Sequence, residues 1–428
     1  MLFKASPFET FSVFFEPFSE VGRNIRFHPT FACTNSSSMK QIGTLWLFLF
    51  LSCPLFSQVP ILLSDSTQIS LMTVVPGEFV YSTFGHSAIR VKDPGTRIDR
   101  CYNYGTFDFE QPNFILKFCQ GKLLYNLDVE SYRSFEYGNL QDRRPMQEQV
   151  FNMNQAQKQR IFDLLQENNK EENRYYKYDF FYDNCATRIR DIVQETFTYQ
   201  LQFDTASLPK NVTMRQLLQP YIEDKPWLDF GIDLLLGLPA DRRASTADFM
   251  FLPDYVHNLF AKAKIGDGTM LVKSERNIPE VPIIKEPFAP TPLDRPLWVM
   301  TFVAIIGLLS MANPRTEHIF DTIFWFVLGL AGLIIALLWF ATDHSATKTN
   351  LNILWAWPTH LLFFWRTRRS GTTENYFTVA ALMAVLLLIF WIWMPQEMPT
   401  PALPLVGLIV VKGLWRRYWK KERAGEVA

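Results

Sequence analysis

Between residues 297 and 415 the chain carries five apolar stretches, at 297–311, 319–341, 351–365, 376–394 and 402–415, separated by polar or proline-rich joints. Nothing else in the sequence constrains the fold as strongly. In hydrocarbon every backbone polar group has to be satisfied within the protein, so segments of this kind become membrane-crossing helices. The third is short and contains Pro358, which leaves a re-entrant loop as the competing reading. Charge decides between them. If the preceding domain lies outside, five crossings place Arg366-Thr367-Arg368-Arg369 and the basic run from Arg416 to Arg423 in the cytoplasm, as the positive-inside rule requires. Losing one crossing would put both clusters outside. We therefore expect a five-helix transmembrane domain over 297–419 and a basic cytoplasmic tail over 420–428.

The N-terminal side carries a different signal. From Met39 the chain reads MKQIGTLWLFLFLSCPLFSQVP: a lysine, a short apolar run, then a small residue before Gln58. That is the layout of a secretory signal peptide cleaved after Ser57, and the run is too short for a span. Residues 39–57 are the expected signal and 1–38 an upstream extension, with Met39 the true start. Phe50-Leu51-Ser52-Cys53 lacks the aliphatic residue usual in a lipoprotein signal. The domain that follows, 58–276, is exported, and 277–296, with six prolines, is a linker.

Equal numbers of basic and acidic residues, 42 each, argue against a nucleic-acid partner. Six histidines without zinc-type Cys/His spacing argue against a metal site. No cofactor is expected. Cys101 and Cys119 could pair in an oxidising compartment, which leaves Cys185 as an odd thiol.

Within the exported domain, Ile69–Val75 reads as a strand, and Gly85–Val91 leads through Asp93-Pro94-Gly95 into Asp99–Gly105 as a hairpin. Asn154 caps a helix to about Asn168, and a second helix runs from Cys185 to Phe197. Residues 198–262 read as mostly helical. The class is α+β.

Two segments carry chemistry. Phe84-Gly85-His86-Ser87 puts an imidazole at the start of a strand, and Asp183-Asn184-Cys185 puts a thiol at the start of a helix. The helix dipole and unpaired N–H groups there stabilise a thiolate and could hold an oxyanion. A nearby imidazole completes a nucleophile–base pair. With the hairpin turn centred near Gly95, Asn103 faces His86 and would orient the ring; a small error in register would give that role to Asp99. Asn184, Arg188 and Tyr104, neighbours of these residues, are the expected substrate contacts. Against this stands the commoner fate of a lone cysteine, a small core residue. Similarly, the aromatic run Tyr175–Tyr182 fits core packing better than a substrate wall. The polar group Asp343, His344, Asn350 and Asn352 falls on the outer side of the membrane, where it could grip a lipid head group or simply cap helix ends.

A histidine-bearing strand that precedes a helix-capping cysteine resembles a circularly permuted papain-like domain of the NlpC/P60-related kind. The segments GHSAIRV, YNYGTFDF and NRYYKYDFFYDNCATRIRD, followed by spans with Thr342-Asp343-His344 and Asn350-Leu351-Asn352, resemble the Lnb family of Bacteroidota membrane proteins over about residues 60–420. That resemblance implies a bacterial inner-membrane lipoprotein N-acyltransferase with a periplasmic domain. It also implies His86 and Cys185 as the working pair, a phospholipid as acyl donor and a lipoprotein as acceptor. The alternatives are a cell-wall cysteine peptidase or amidase, for which several spans would be superfluous, and a non-catalytic membrane scaffold.

Overall fold

A computed structural model describes residues 61–279, 291–366 and 372–425. The expected extension, the signal peptide and most of the linker lie outside these residues. The exported domain is built on one antiparallel sheet of seven strands: β1 (Gln68–Val74), β2 (His86–Asp93), β3 (Ile98–Thr106), β4 (Leu124–Ser131), β5 (Met146–Phe151), β6 (Tyr175–Lys177) and β7 (Val272–Ile278). Their spatial order is β6-β4-β3-β2-β1-β5-β7. The expected hairpin is β2–β3, with Ile89 opposite Tyr102 and Arg90 opposite Cys101. The turn is longer than expected, and the register differs by two residues. Because side chains alternate with period two, that error keeps every residue on its expected face. β7 runs two residues into the stretch expected to be linker.

Helices α1 (Phe114–Cys119) and α2 (Tyr132–Gln141) flank β4, and α3 (Gln155–Asn168) and α4 (Cys185–Thr196) cover one sheet face. Asn154 caps α3 as expected, with its side chain accepting from the Gln157 amide at 2.9 Å. The main core joins Leu71, Ile89, Val91 and Tyr102 of the sheet to Ile161, Leu165, Ile189 and Val193 of these helices. Alternate residues of β1 and β2, Met72, Val74 and Ala88, pack on the other face with Cys101 and Phe135. Burial pushes the Cys101 thiol well up. Cys101 is buried and Cys119 exposed, and both are free, so the disulfide considered from the sequence is absent.

Residues 198–262 depart from the helical expectation. Beyond the one-turn pieces 219–222 and 246–249, only α5 (Pro226–Leu235) and α6 (Pro253–Lys262) are helices of any length. The rest is loop anchored by buried groups, among them Arg215, which forms ion pairs of 2.9 Å with both Asp233 and Asp241.

The membrane region contains α7 (Pro296–Leu309), α8 (Pro314–Phe340), α9 (Thr372–Phe390) and α10 (Leu403–Gly425). The helices Pro314–Phe340 and Thr373–Trp393 are long and apolar enough to cross a membrane. Residues 351–365, expected to be a helix, are not one. They form short 3-10 turns and a single helical turn, His360–Phe363. This segment runs down α8, where two glycines admit it. A Cβ at Gly332 would lie 2.0 Å from the Ala356 carbonyl oxygen, and one at Gly329 2.7 Å from the Leu361 nitrogen. Irregular backbone is tolerated at membrane depth only when protein covers it, and Trp355, Ala356 and His360 are buried. The Tyr376 hydroxyl of α9 and His360 Nδ1 share a hydrogen bond of 2.7 Å. The one buried lysine among the described residues, Lys412, pairs with buried Asp321 at 2.9 Å, as an intramembrane charge must.

Candidate functional site

Three local devices bring the thiol and the imidazole together. The first is the cap of α4. Asn184 accepts from the amides of Ala186 and Thr187 at 2.8 and 2.9 Å and donates to the carbonyls of Phe180 and Phe251 at 2.7 and 2.8 Å. The start of the helix, and Cys185 with it, is pinned to two other segments. The second is the turn before it. Asp183 takes both arms of Arg188, at 2.5 and 2.8 Å, and that guanidinium lies 3.5 Å from the centre of the Tyr176 ring. The third is a bulge in β3 at Gly105, whose φ of +84° favours glycine. A Cβ there would meet Cys185 Cβ at 3.6 Å and Tyr178 Cε2 at 3.4 Å, so the strand approaches the thiol closely.

Cys185 is 6% exposed, and its sulfur receives the backbone amides of Ser87 and Ala186. His86 hydrogen-bonds the sulfur, and its Nε2 donates to Asn103 Oδ1 at 2.5 Å, which leaves Nδ1 as the ring atom for the thiol. Burial disfavours charge on both groups. For Cys185 the attraction of the imidazolium, its hydrogen bond and the two amides outweigh burial, so the thiol pKa is lowered. For His86 burial is outweighed by the thiolate and by its bonds to Cys185 and Asn103, so the imidazole pKa is raised. Both shifts favour the thiolate–imidazolium form of the pair. Asp99 is not in contact with His86 through any described bond; it pairs with Arg90 at 2.8 Å.

The remaining expected residues divide by location. Tyr104 is buried, with its hydroxyl accepting from Asn168 at 2.8 Å. Asn350 and Asn352 lie away from the pair. Their amides donate to the carbonyls of Asp233, Leu234 and Leu235 at 2.9–3.2 Å, which caps the end of α5. Asp343 pairs with Lys177 at 2.9 Å, and His344 donates to the Phe118 carbonyl at 3.1 Å. Next to them Ser345 bonds Asp179, whose carboxylate also holds the amides of Phe181 and Tyr182 at 3.0 Å. The outer loop thus ties the membrane region to the segment leading into Cys185.

Some site residues were not singled out from the sequence. Gly105 had a signal, a glycine inside a strand pattern. Arg144 had none. It is buried, donates from Nε to the Val75 carbonyl at 3.2 Å, and its Nη2 has no hydrogen-bond partner among the described residues. Burial lowers its pKa, and its charge opposes that of His86. A half-open cavity of about 240 Å³, lined by Phe84, Tyr178, Phe180, Leu218, Ile232 and Leu236, lies between the domain and the outer loop at 344–347; Phe84 is two residues before His86, and the pair itself does not line the cavity.

These features define a class: a multi-pass membrane protein whose α+β domain holds a thiol–imidazole pair and borders an apolar cavity at the membrane region. The chain belongs to the Lnb family of lipoprotein N-acyltransferases, since residues 62–220 match the Lnb N-terminal periplasmic domain and residues 284–423 the Lnb transmembrane domain. The α+β domain is periplasmic and the helices lie in the inner membrane. No curated protein and no solved structure matches the chain.

Proposed function

We propose that the acyl chain passes from a phospholipid to Cys185 and from there to the N-terminal amine of a lipoprotein, with His86 as proton carrier and Asn103 as its orienter. The Cys185 thiolate attacks the ester carbonyl of the donor. A carbon–sulfur bond forms, the carbon–oxygen bond breaks, and the departing alkoxide takes the proton of the His86 imidazolium to leave as lysophospholipid. The neutral amine of the acceptor then attacks the thioester. His86 removes a proton from the nitrogen, the carbon–sulfur bond breaks, and the thiolate–imidazolium pair returns.

The observation that carries this reading is the apolar cavity, which runs to the outer loop of the membrane region from Phe84, two residues before His86, and from Tyr178, which meets Gly105 on the side of Cys185. A peptidoglycan fragment would have no use for it. An acyl chain gains about 0.8 kcal/mol for each methylene it keeps out of water. Asn184 and Arg188 act in this reading by positioning Cys185, while Asn350 and Asn352 hold the domain to the membrane region. The order of His86, Asn103 and Cys185 along the chain supports a permuted papain-like domain. Continuous packing of 351–366 along α8 supports five crossings, the third irregular, with the C-terminus in the cytoplasm.

The test is an intact-mass measurement on protein incubated with phospholipid vesicles without acceptor. One acyl group should accumulate on Cys185, vanish in Cys185→Ser, and be discharged by a peptide with an N-terminal diacylglyceryl cysteine. A protein that stays unacylated while retaining an alkylatable Cys185 would refute the proposal.

A further inference from the structure

We infer that α1 and the turn before it, residues 107–118, are embedded in the outer leaflet of the inner membrane and form the surface by which a phospholipid chain leaves the bilayer for the site. The inference rests on the acyltransferase reading for its purpose, but not for its geometry. In this segment Ile115 is 75% exposed and Phe109 69% exposed, and Leu116 and Phe118 are exposed beside them. An exposed apolar patch of this kind, with Lys117 within it and Lys122 just beyond it, marks an interaction surface.

Two observations identify lipid as the occupant. The first is position. The Asp343 amide donates to the Gln120 carbonyl at 2.8 Å and His344 to the Phe118 carbonyl at 3.1 Å. Gly121 lies so close that a Cβ would come 3.0 Å from the His344 nitrogen. These partners are three and four residues beyond the end of α8, whose last residue Phe340 and neighbour Leu337 are exposed. The patch therefore continues the exposed apolar surface of a membrane helix at its outer end. The second is direction. Ring contacts run from Phe118 to Phe114 at 6.3 Å, to Phe107 at 5.8 Å, to Tyr125 at 5.1 Å and to Tyr178 at 4.4 Å. Tyr178 shares the Gly105 contact with Cys185. A file of rings thus leads from the membrane surface toward the thiol and offers an extracted chain continuous apolar contact.

The test uses the full-length protein in vesicles of phosphatidylethanolamine and phosphatidylglycerol. A benzophenone amino acid placed at Ile115 should, on illumination, give an adduct of one phospholipid mass. The same group at Tyr199, also 70% exposed, should give none. A second arm compares Ile115→Glu and Phe118→Glu with the parent. A carboxylate in the leaflet should slow Cys185 acylation by vesicle phospholipid about ten-fold or more, while the rate with p-nitrophenyl acetate in solution stays the same. Crosslinks only to protein, or none at 115, would overturn the inference, as would full vesicle activity in both Glu variants. Failure of the acyltransferase reading gives a different signature, a parent protein that is never acylated by lipid yet still crosslinks to it.

Discussion

Asn103 meets Nε2 of His86 at 2.5 Å from a diagonal position, because the β2–β3 register set by Ile89 opposite Tyr102 leaves the two residues out of direct opposition. The amide oxygen fixes which ring nitrogen keeps its proton and turns Nδ1 toward Cys185. Asn103→Ala removes that hold without touching the thiol. We expect acyl transfer to fall about a hundred-fold, the scale of a slightly misplaced catalytic group, with little change in thermal unfolding. Single-turnover acylation of Cys185 is the measurement, and a variant as fast as the parent would remove Asn103 from the mechanism.

The coupled pair sets a pH profile. The Cys185 pKa is lowered, so the thiolate is lost only when pH falls below the ordinary thiol range. The His86 pKa is raised, so the proton needed by the leaving alkoxide is lost only as pH rises beyond the ordinary imidazole value. Acylation should therefore follow a bell with a plateau about neutrality, while iodoacetamide labelling of Cys185 shows the acid limb first. In His86→Ala the labelling midpoint should move up, since burial then acts on the thiol without the imidazolium to offset it. Arg144→Met should shift the alkaline limb upward, because that guanidinium opposes charge on His86.

Much of this site was legible because its signals are local. An asparagine before Cys185, a histidine after a glycine at a strand start and an Asp-Pro-Gly turn each act within a few residues. The register was missed by two because turn length is decided by Pro94–Arg97 geometry, including a positive φ at Arg97 that composition does not reveal. Parity rescued the assignment of Asn103. The break at 351–365 was hidden for a different reason. Hydropathy reports that a segment is buried in lipid or protein, and only the glycines of α8 reveal that a non-helical chain lies against it. The capping role open to Asn350 and Asn352 depends on α5, more than a hundred residues away in sequence.

The far face of the sheet holds a buried ion network that should govern stability rather than activity. Arg90 pairs with Asp99 at 2.8 Å and Glu148 at 3.1 Å, and stacks 3.3 Å from the centre of the Tyr132 ring. Arg276 reaches the same Glu148 at 2.6 Å. Arg90→Ala leaves Glu148 buried and half-compensated, at a cost of about 3–5 kcal/mol. Denaturant unfolding of the purified protein should show that loss, whereas the pH profile of Cys185 labelling should stay in place. A change of less than about 1 kcal/mol would mean that water or Arg276 replaces the pair.

The path of residues 351–366 makes the topology testable at a single glycine. Descent along α8 is possible only because Gly332 presents no side chain to the Ala356 carbonyl, 2.0 Å from where a Cβ would stand. Gly332→Val should push the irregular segment off α8 and expose its carbonyls to lipid. That lowers the thermal midpoint in detergent by an amount equivalent to about 1–3 kcal/mol. Gly407, whose Cβ would meet nothing, should accept alanine without effect. On the five-crossing proposal, the same descent takes the chain from the outer loop to the cytoplasmic end of α9. A reporter fused after His344 should read periplasmic and one after Arg423 cytoplasmic. If both read periplasmic, 351–366 turns back before crossing, and Arg366 would then face outward against the charge rule.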